Sequence, residues 1–234
     1  MAAAVREMGH DVVVVAPNRE MSGCSSSMGA MAHAGHLSYE AVMLAELPDI
    51  AAFAVDGPPA ACVIAATLGG FGAPPDLVVS GINPGFNCGR ATLHSGTIGA
   101  ALTAAKWGCS GLAVSIGLAD RIHWGTAAAY AQAALGALDD AAPRTTVNLN
   151  VPNVALDEVR GIRHAELAPF NAVRTVITGR SAGCLHVALQ PTELAVPEGT
   201  DTALVRQGFA TITFLSSVTS ANPPYTELEP GFAP

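Results

Sequence analysis

Apolar and polar residues along this chain fall into short blocks that switch repeatedly between strand-like and helix-like patterns. The opening MAAAVREMG is Ala-rich and stops at Gly9, which predicts a helix over residues 1–9. Asp11-Val-Val-Val-Val-Ala-Pro17 follows, a short β-branched run apolar on both faces, as a buried parallel strand requires. Residues 18–36 are rich in Ser, Gly, Met and Ala without a period and predict a long loop, a kind that often carries function in compact domains. IAAFAV (50–55) predicts a second strand. Gly57-Pro58-Pro59 starts a helix to about Leu68, because proline is favoured at the first helical position.

Pro75-Asp76-Leu-Val-Val-Ser80 predicts a third buried strand, ended by a polar glycine loop from Gly81 to Ser95. A helix over 96–107, a strand over 112–116, a helix over 126–138 and a strand over 146–152 complete the alternation. Strands alternating with helices imply right-handed crossovers and a mostly parallel sheet between helical layers. The expected architecture is a three-layer α/β core over residues 1–152. After Pro152 the pattern turns to short strand-like pieces (159–168, 174–178, 184–190, 209–215), predicting a β-rich extension over 153–234.

Half of the 234 residues are hydrophobic and only 13% are charged, yet no apolar run reaches the about 18 residues needed to cross a bilayer. The first ten residues lack the apolar core of a secretory signal, so a cytoplasmic protein is expected. Net charge is −8 without any basic run, which argues against duplex nucleic acid as a partner. A small anion remains compatible, since backbone N–H groups bind anions without side-chain charge. The five cysteines are widely spaced with no CxxC pair, so they read as reduced structural thiols.

Ligands of open α/β sheets bind beyond the C-terminal ends of the strands. Two loops leave such ends with suitable groups: Ala16-Pro-Asn-Arg-Glu-Met-Ser22-Gly23, and Ser80-Gly-Ile-Asn83-Pro-Gly-Phe-Asn87-Cys-Gly89, closed by His94-Ser95-Gly96-Thr97. Ser95-Gly96-Thr97 falls at a helix N-terminus, where unpaired N–H groups and the helix dipole favour phosphate. Asn83 and Asn87 offer neutral oxygens to a hard cation or hydrogen bonds to an oxyanion. Spacing alone leaves equal room for Asx turns and a plain Ser95 cap. Elsewhere, His33 and His36 read as solvated, His94 as packing, Arg19 as a loop cation, and Asp201 as a turn residue.

SGINPGFNCG…HSGTIGAA, together with APNREMSG, resembles the SurE family of metal-dependent 5′/3′-nucleotidases. DGPPAACV, Val147-Asn-Leu-Asn-Val-Pro152, Gly161-Ile-Arg163, and Pro197-Glu-Gly-Thr-Asp201 leading into Gly208-Phe-Ala-Thr-Ile-Thr213 extend the likeness over nearly the whole chain. The resemblance implies a Rossmann-like SurE-type sheet and phosphomonoester hydrolysis of nucleoside 5′- or 3′-monophosphates. It also implies a divalent Mg or Mn ion, and a homodimer or higher oligomer built with the C-terminal arm. Carried over, Ser22 and Asn83 match metal ligands, while Asn87, Ser95, Gly96 and Thr97 match the phosphate loop. An ion so held would polarise the phosphoryl group and acidify a bound water.

The sequence departs from the family in one respect that matters. The family opens with a strand ending in N-D-D-G, which supplies two aspartate ligands; this sequence begins at the helix that follows it, and a start-site error or truncated record is expected. Asp139-Asp140 lies in the wrong region to replace the pair, so no catalytic residue is assigned and activity is expected to be weak or lost. Strands flanking the lost one are expected to lack a partner. Ala61 stands where the family usually has aspartate. Two other readings are a non-catalytic phosphate- or nucleotide-binding homologue and a sugar-nucleotide glycosyltransferase start, for which helix-GHDVVVVAP is also typical.

Overall fold

The computed structural model describes residues 1–139, 141–170, 173–216 and 218–219. Elements follow in the order α1 (Ala2–Glu7), β1 (Val14–Pro17), α2 (Met31–Ala34), β2 (Tyr39–Val42), β3 (Ala52–Val55), α3 (Pro59–Thr67) and β4 (Leu77–Pro84). A 3₁₀ segment (Gly89–His94) leads to α4 (Gly96–Lys106), β5 (Ser110–Ile116), α5 (Trp124–Asp139) and β6 (Thr146–Val151). Among the described residues there follow β7 (Ile162–His164), β8 (Val173–Ser181), β9 (Cys184–Pro191), α6 (Asp201–Arg206) and β10 (Ala210–Leu215). The expected αβ alternation is present. Several boundaries move by a few residues, and a short helix α2 interrupts the expected 18–36 loop. β4 runs on through Asn83 and Pro84, with a register shift between Ser80 and Asn83, so Asn83 stands on a strand end and not within a loop.

The main sheet has the order β4-β5-β6-β10-β7, with β4, β5 and β6 parallel and β10 antiparallel to β6. Two strands from beyond residue 152 therefore complete this sheet, while β8 and β9 form a separate hairpin. Within β5 and β6, alternation sorts the layers. Leu112, Val114, Ile116, Val147, Leu149 and Val151 pack in one core with Ala131, Leu135 and Leu138 of α5. On the other face Ala113 packs with Ile98 and Ala101 of α4. That helix approaches closely because its inner residues are small: a Cβ on Gly111 would lie 2.4 Å from the Ala101 carbonyl oxygen.

β1, β3 and β2 form a second sheet, in the order β1-β3-β2. Among the described residues β1 has β3 as its one strand partner and β4 has β5. Each leaves one edge unpaired among the described residues. The side chains of β1 and β4 are mostly half-buried, whereas β6 is buried throughout. Helices bridge the two sheets. α3 packs on both β1 and α4, and on the other side Gln132 of α5 donates to the Ala4 carbonyl of α1 at 2.9 Å. No described helix is long and apolar enough to cross a membrane.

Cys62, Cys88 and Cys109 are buried and Cys184 is exposed. Burial pushes the Cys62 thiol up to about 12 and raises Cys88 as well, the nearby Asp201 carboxylate adding to it. Thiolate is the reacting species, so alkylation at mildly alkaline pH is expected at Cys184 first. Cys62 and Cys88 should be modified only as the chain unfolds, and peptide mapping after timed iodoacetamide exposure checks this order. Leu149 is fully buried and Leu118 is 76% exposed. Leu149→Ala should lower unfolding free energy by about 2–5 kcal/mol and Leu118→Ala by less than about 0.5 kcal/mol, read by urea denaturation.

Candidate phosphate site

The loop after β1 and the loop after β4 meet at the start of α4. The Ser25 N–H donates to the His94 carbonyl at 3.3 Å, and Ser25 Oγ donates to the Leu93 carbonyl at 2.6 Å. Gly99 makes this seating possible, since a Cβ there would fall 2.2 Å from the Ser25 carbonyl oxygen. Cys24 Sγ lies 3.3 Å from where a Gly96 Cβ would stand. Ser95 caps α4, its Oγ accepting from the Ile98 N–H at 3.2 Å. The Gly96 and Thr97 N–H groups have no hydrogen-bond partner among the described residues and stand at the positive end of the helix dipole. Of the residues expected to hold phosphate, Gly96, itself buried, and Thr97 keep backbone N–H groups without a partner among the described residues, and Ser95 caps the same turn.

Asn87 has a different setting. It is buried, and its Nδ2 donates to Ser115 Oγ at 2.7 Å. Its backbone is clamped from β6: the Asn87 N–H donates to Asn150 Oδ1 at 2.8 Å, and Asn148 Nδ2 donates to the Asn87 carbonyl at 2.8 Å. Asn150 Nδ2 reaches the same carbonyl at 3.2 Å and Asn148 Oδ1 at 3.3 Å. The side chain of Asn87 is thus engaged in holding the loop on the sheet. Two residues on, Gly89 adopts φ +56°, and a Cβ there would lie 2.5 Å from the Phe170 carbonyl oxygen, so glycine is required.

The two residues matched to a metal are each engaged locally. Ser22 donates to Glu20 Oε1 through both its N–H, at 2.8 Å, and its Oγ, at 2.6 Å. The Ser22 hydroxyl, followed by its N–H, holds the Glu20 carboxyl below its ordinary value. Asn83 closes a turn, its Nδ2 donating to the Gly85 carbonyl at 2.7 Å. Ser22 follows the C-terminal end of β1, and Asn83 stands at the C-terminal end of β4 in the other sheet. Among the described residues no group of three or more His, Cys, Asp or Glu is placed to hold a metal. Asp140 lies outside the described residues. Mg and Mn sites rely on carboxylate oxygens, and Ser22 with Asn83 supplies only neutral ones. The residues present do not by themselves fit such an ion.

Sequence reading passed over Asn148, Asn150 and Ser115 as strand residues, and over Glu20. A signal for the asparagines was available: VNLNV alternates polar with apolar inside a strand otherwise read as buried, which demands buried partners for both amides. Arg19 forms an ion pair with Asp56, both half-exposed, and so is a loop cation as expected.

Comparison with known proteins places this geometry in context. The family model of survival protein SurE matches residues 1–174. The chain is 33% identical over 213 residues to the 5′-nucleotidase SurE of Aeromonas hydrophila, covering 88% of this chain and 81% of that protein. It is 34% identical over 218 residues to the 5′/3′-nucleotidase SurE of Shigella dysenteriae, covering 91% and 82%. The crystal structure of the SurE protein from Aquifex aeolicus superposes with a TM-score of 0.74 at 28% identity, over 92% of this chain and 86% of that one. On the strength of a family model that spans most of its length and relatives a third identical across it, the chain belongs to the SurE family.

Proposed function

We propose that this chain binds the phosphate of a nucleoside 5′- or 3′-monophosphate at the N-terminus of α4. The observation that carries this reading is the pair of unpartnered N–H groups of Gly96 and Thr97 on an eleven-residue helix that Ser95 already caps. Such a terminus offers two directed donors and about half a positive charge to an anion. Support for a nucleotide as the phosphate carrier comes from relatives named as nucleotidases. The family match displaces the glycosyltransferase reading.

Phosphomonoester hydrolysis is the activity the names of those relatives suggest, and the sequence resemblance adds Mg or Mn with Ser22 and Asn83 as the matched ligands. The neutral donor set favours weak turnover by the chain as it stands. The β8–β9 hairpin is proposed as the arm for a second copy. Thr175 pairs with Leu189 and Ile177 with Val187, so Ile177, Val187 and Leu189 share one face, and all three are exposed. A two-stranded ribbon is marginal alone and an apolar face on it calls for cover.

Titration of the ¹⁵N-labelled chain with 5′-AMP and with inorganic phosphate tests the first point. The Gly96 and Thr97 amide signals should move in both titrations and not with adenosine. A chain whose α4 amides ignore phosphate would refute the proposed site. Phosphate release from 5′-AMP with manganese should be detectable at most at a slow rate. Replacing Ile177, Val187 and Leu189 together by Ser should leave a monomer in sedimentation equilibrium, while the unaltered chain sediments as a dimer or larger.

A further inference from the structure

Asp201 is fully buried, and the ion pair found among the described residues, Arg19–Asp56, does not involve it. A buried carboxylate without a cation is costly unless hydrogen bonds replace its hydration. Here four donors do so. Asp201 Oδ2 accepts from the Gly89 N–H at 2.8 Å. Oδ1 accepts from the Ala168 N–H at 3.0 Å, from the Thr202 N–H at 2.6 Å and from Thr202 Oγ at 3.2 Å.

Oδ1 serves the first turn of α6 through the Thr202 N–H, but capping that helix does not by itself call for a charge. Thr200 already caps that helix, its Oγ1 accepting from the Ala203 N–H at 3.4 Å. The contact that Oδ2 makes is with a residue 112 positions earlier in the chain, at the hinge between the β4 loop and the 3₁₀ segment. The 3₁₀ segment is six residues long, and its far end is held by Ser25 and runs into Ser95. Gly89 and the donors of Gly96 and Thr97 thus stand at opposite ends of one short segment.

We propose that Asp201 is a positioning residue for the phosphate loop, setting the height of Gly89 and through it the start of α4. The ligand named here rests on the proposed function above; the placement of the loop does not. Asp201 lies beyond the stretch matched by the family model, which ends at residue 174.

Asp201→Asn separates this role from a plain structural one. Asparagine can keep the bonds to Ala168 and Thr202 through its carbonyl. It must then turn its NH₂ towards the Gly89 N–H, setting donor against donor. In the ¹⁵N-labelled full chain, Asp201→Asn should shift the Gly89 amide signal and hasten hydrogen exchange there and along the 3₁₀ segment. The dissociation constant for inorganic phosphate should rise by about tenfold or more, equivalent to about 1.4 kcal/mol. Thr200→Ala, which removes the cap, should lower thermal stability yet leave phosphate affinity within about twofold and Gly89 unmoved.

Loop signals unchanged in Asp201→Asn would overturn the proposal, and so would unchanged phosphate affinity. Should Asp201→Asn fail to fold, the unaltered chain decides the matter. The proposal requires a Gly89 amide that is shifted downfield and protected from exchange, and a freely exchanging one overturns it. An unaltered chain that ignores phosphate while Asp201→Asn still loosens Gly89 sinks the functional reading and leaves the positioning intact.

Discussion

The site depends on one buried contact, the grip of Asn148 and Asn150 on the backbone of Asn87. Two amides inside a strand would ordinarily weaken a core, because each buried donor or acceptor left unpaired costs about 1–3 kcal/mol. The parallel register of β5 and β6 removes that cost. It sets Ser115 level with Asn150 and turns both asparagines to the face opposite Leu149, where the loop passes over them. The pairing of β5 with β6 thus fixes Asn87, Asn87 fixes the course of the loop, and the loop delivers Ser95 to the start of α4. The strand pairing and the free donors of Gly96 and Thr97 are ends of a single chain of contacts. The threonines Thr211 and Thr213 of β10 stand opposite Asn150 and Asn148, extending the polar seam, and their hydroxyls have no partner among the described residues.

Much of the fold was legible because its elements carry strong local signals. The β-branched run before Pro17, the prolines before α3 and the Ser95-Gly96-Thr97 turn each announce one state and no other. What escaped was whatever depends on a partner far along the chain. The insertion of β10 antiparallel to β6 joins segments some sixty residues apart, and nothing local marks it. α6 escaped because six residues are too few for a helical period to show. Asp201 read as a turn residue since its real partners, Gly89 and Ala168, cannot be seen from the sequence around it. At the site, residue types were legible but allegiances were not: Asn87 and Ser95 hold the backbone, and Gly96 and Thr97 present it.

The open edges of β1 and β4 show the same division between local and non-local information. Valine runs of this kind suit strands covered on both faces and paired on both sides. The sequence of β4 meets that description, yet its side chains remain half-buried, because exposure follows the number of neighbours a strand has and not its own composition. β5 carries similar residues and is almost wholly buried between two parallel partners.

Charge explains why the two halves of the expected site fare differently. A helix terminus stabilises an anion through groups that the backbone supplies unconditionally, so the phosphate half needs only the right turn and small residues to let the neighbouring loop sit close. A hard divalent cation requires carboxylate oxygens placed by side chains, and Ser22 and Asn83 bring none. Glu20 stands beside Ser22, but the Ser22 N–H and hydroxyl already occupy one of its oxygens and favour its ionised form without adding a second carboxylate. In the proposed reading, recognition of phosphate and its activation are therefore separable. The first is written into the path of the main chain, and the second into side chains whose charge must be counted one by one.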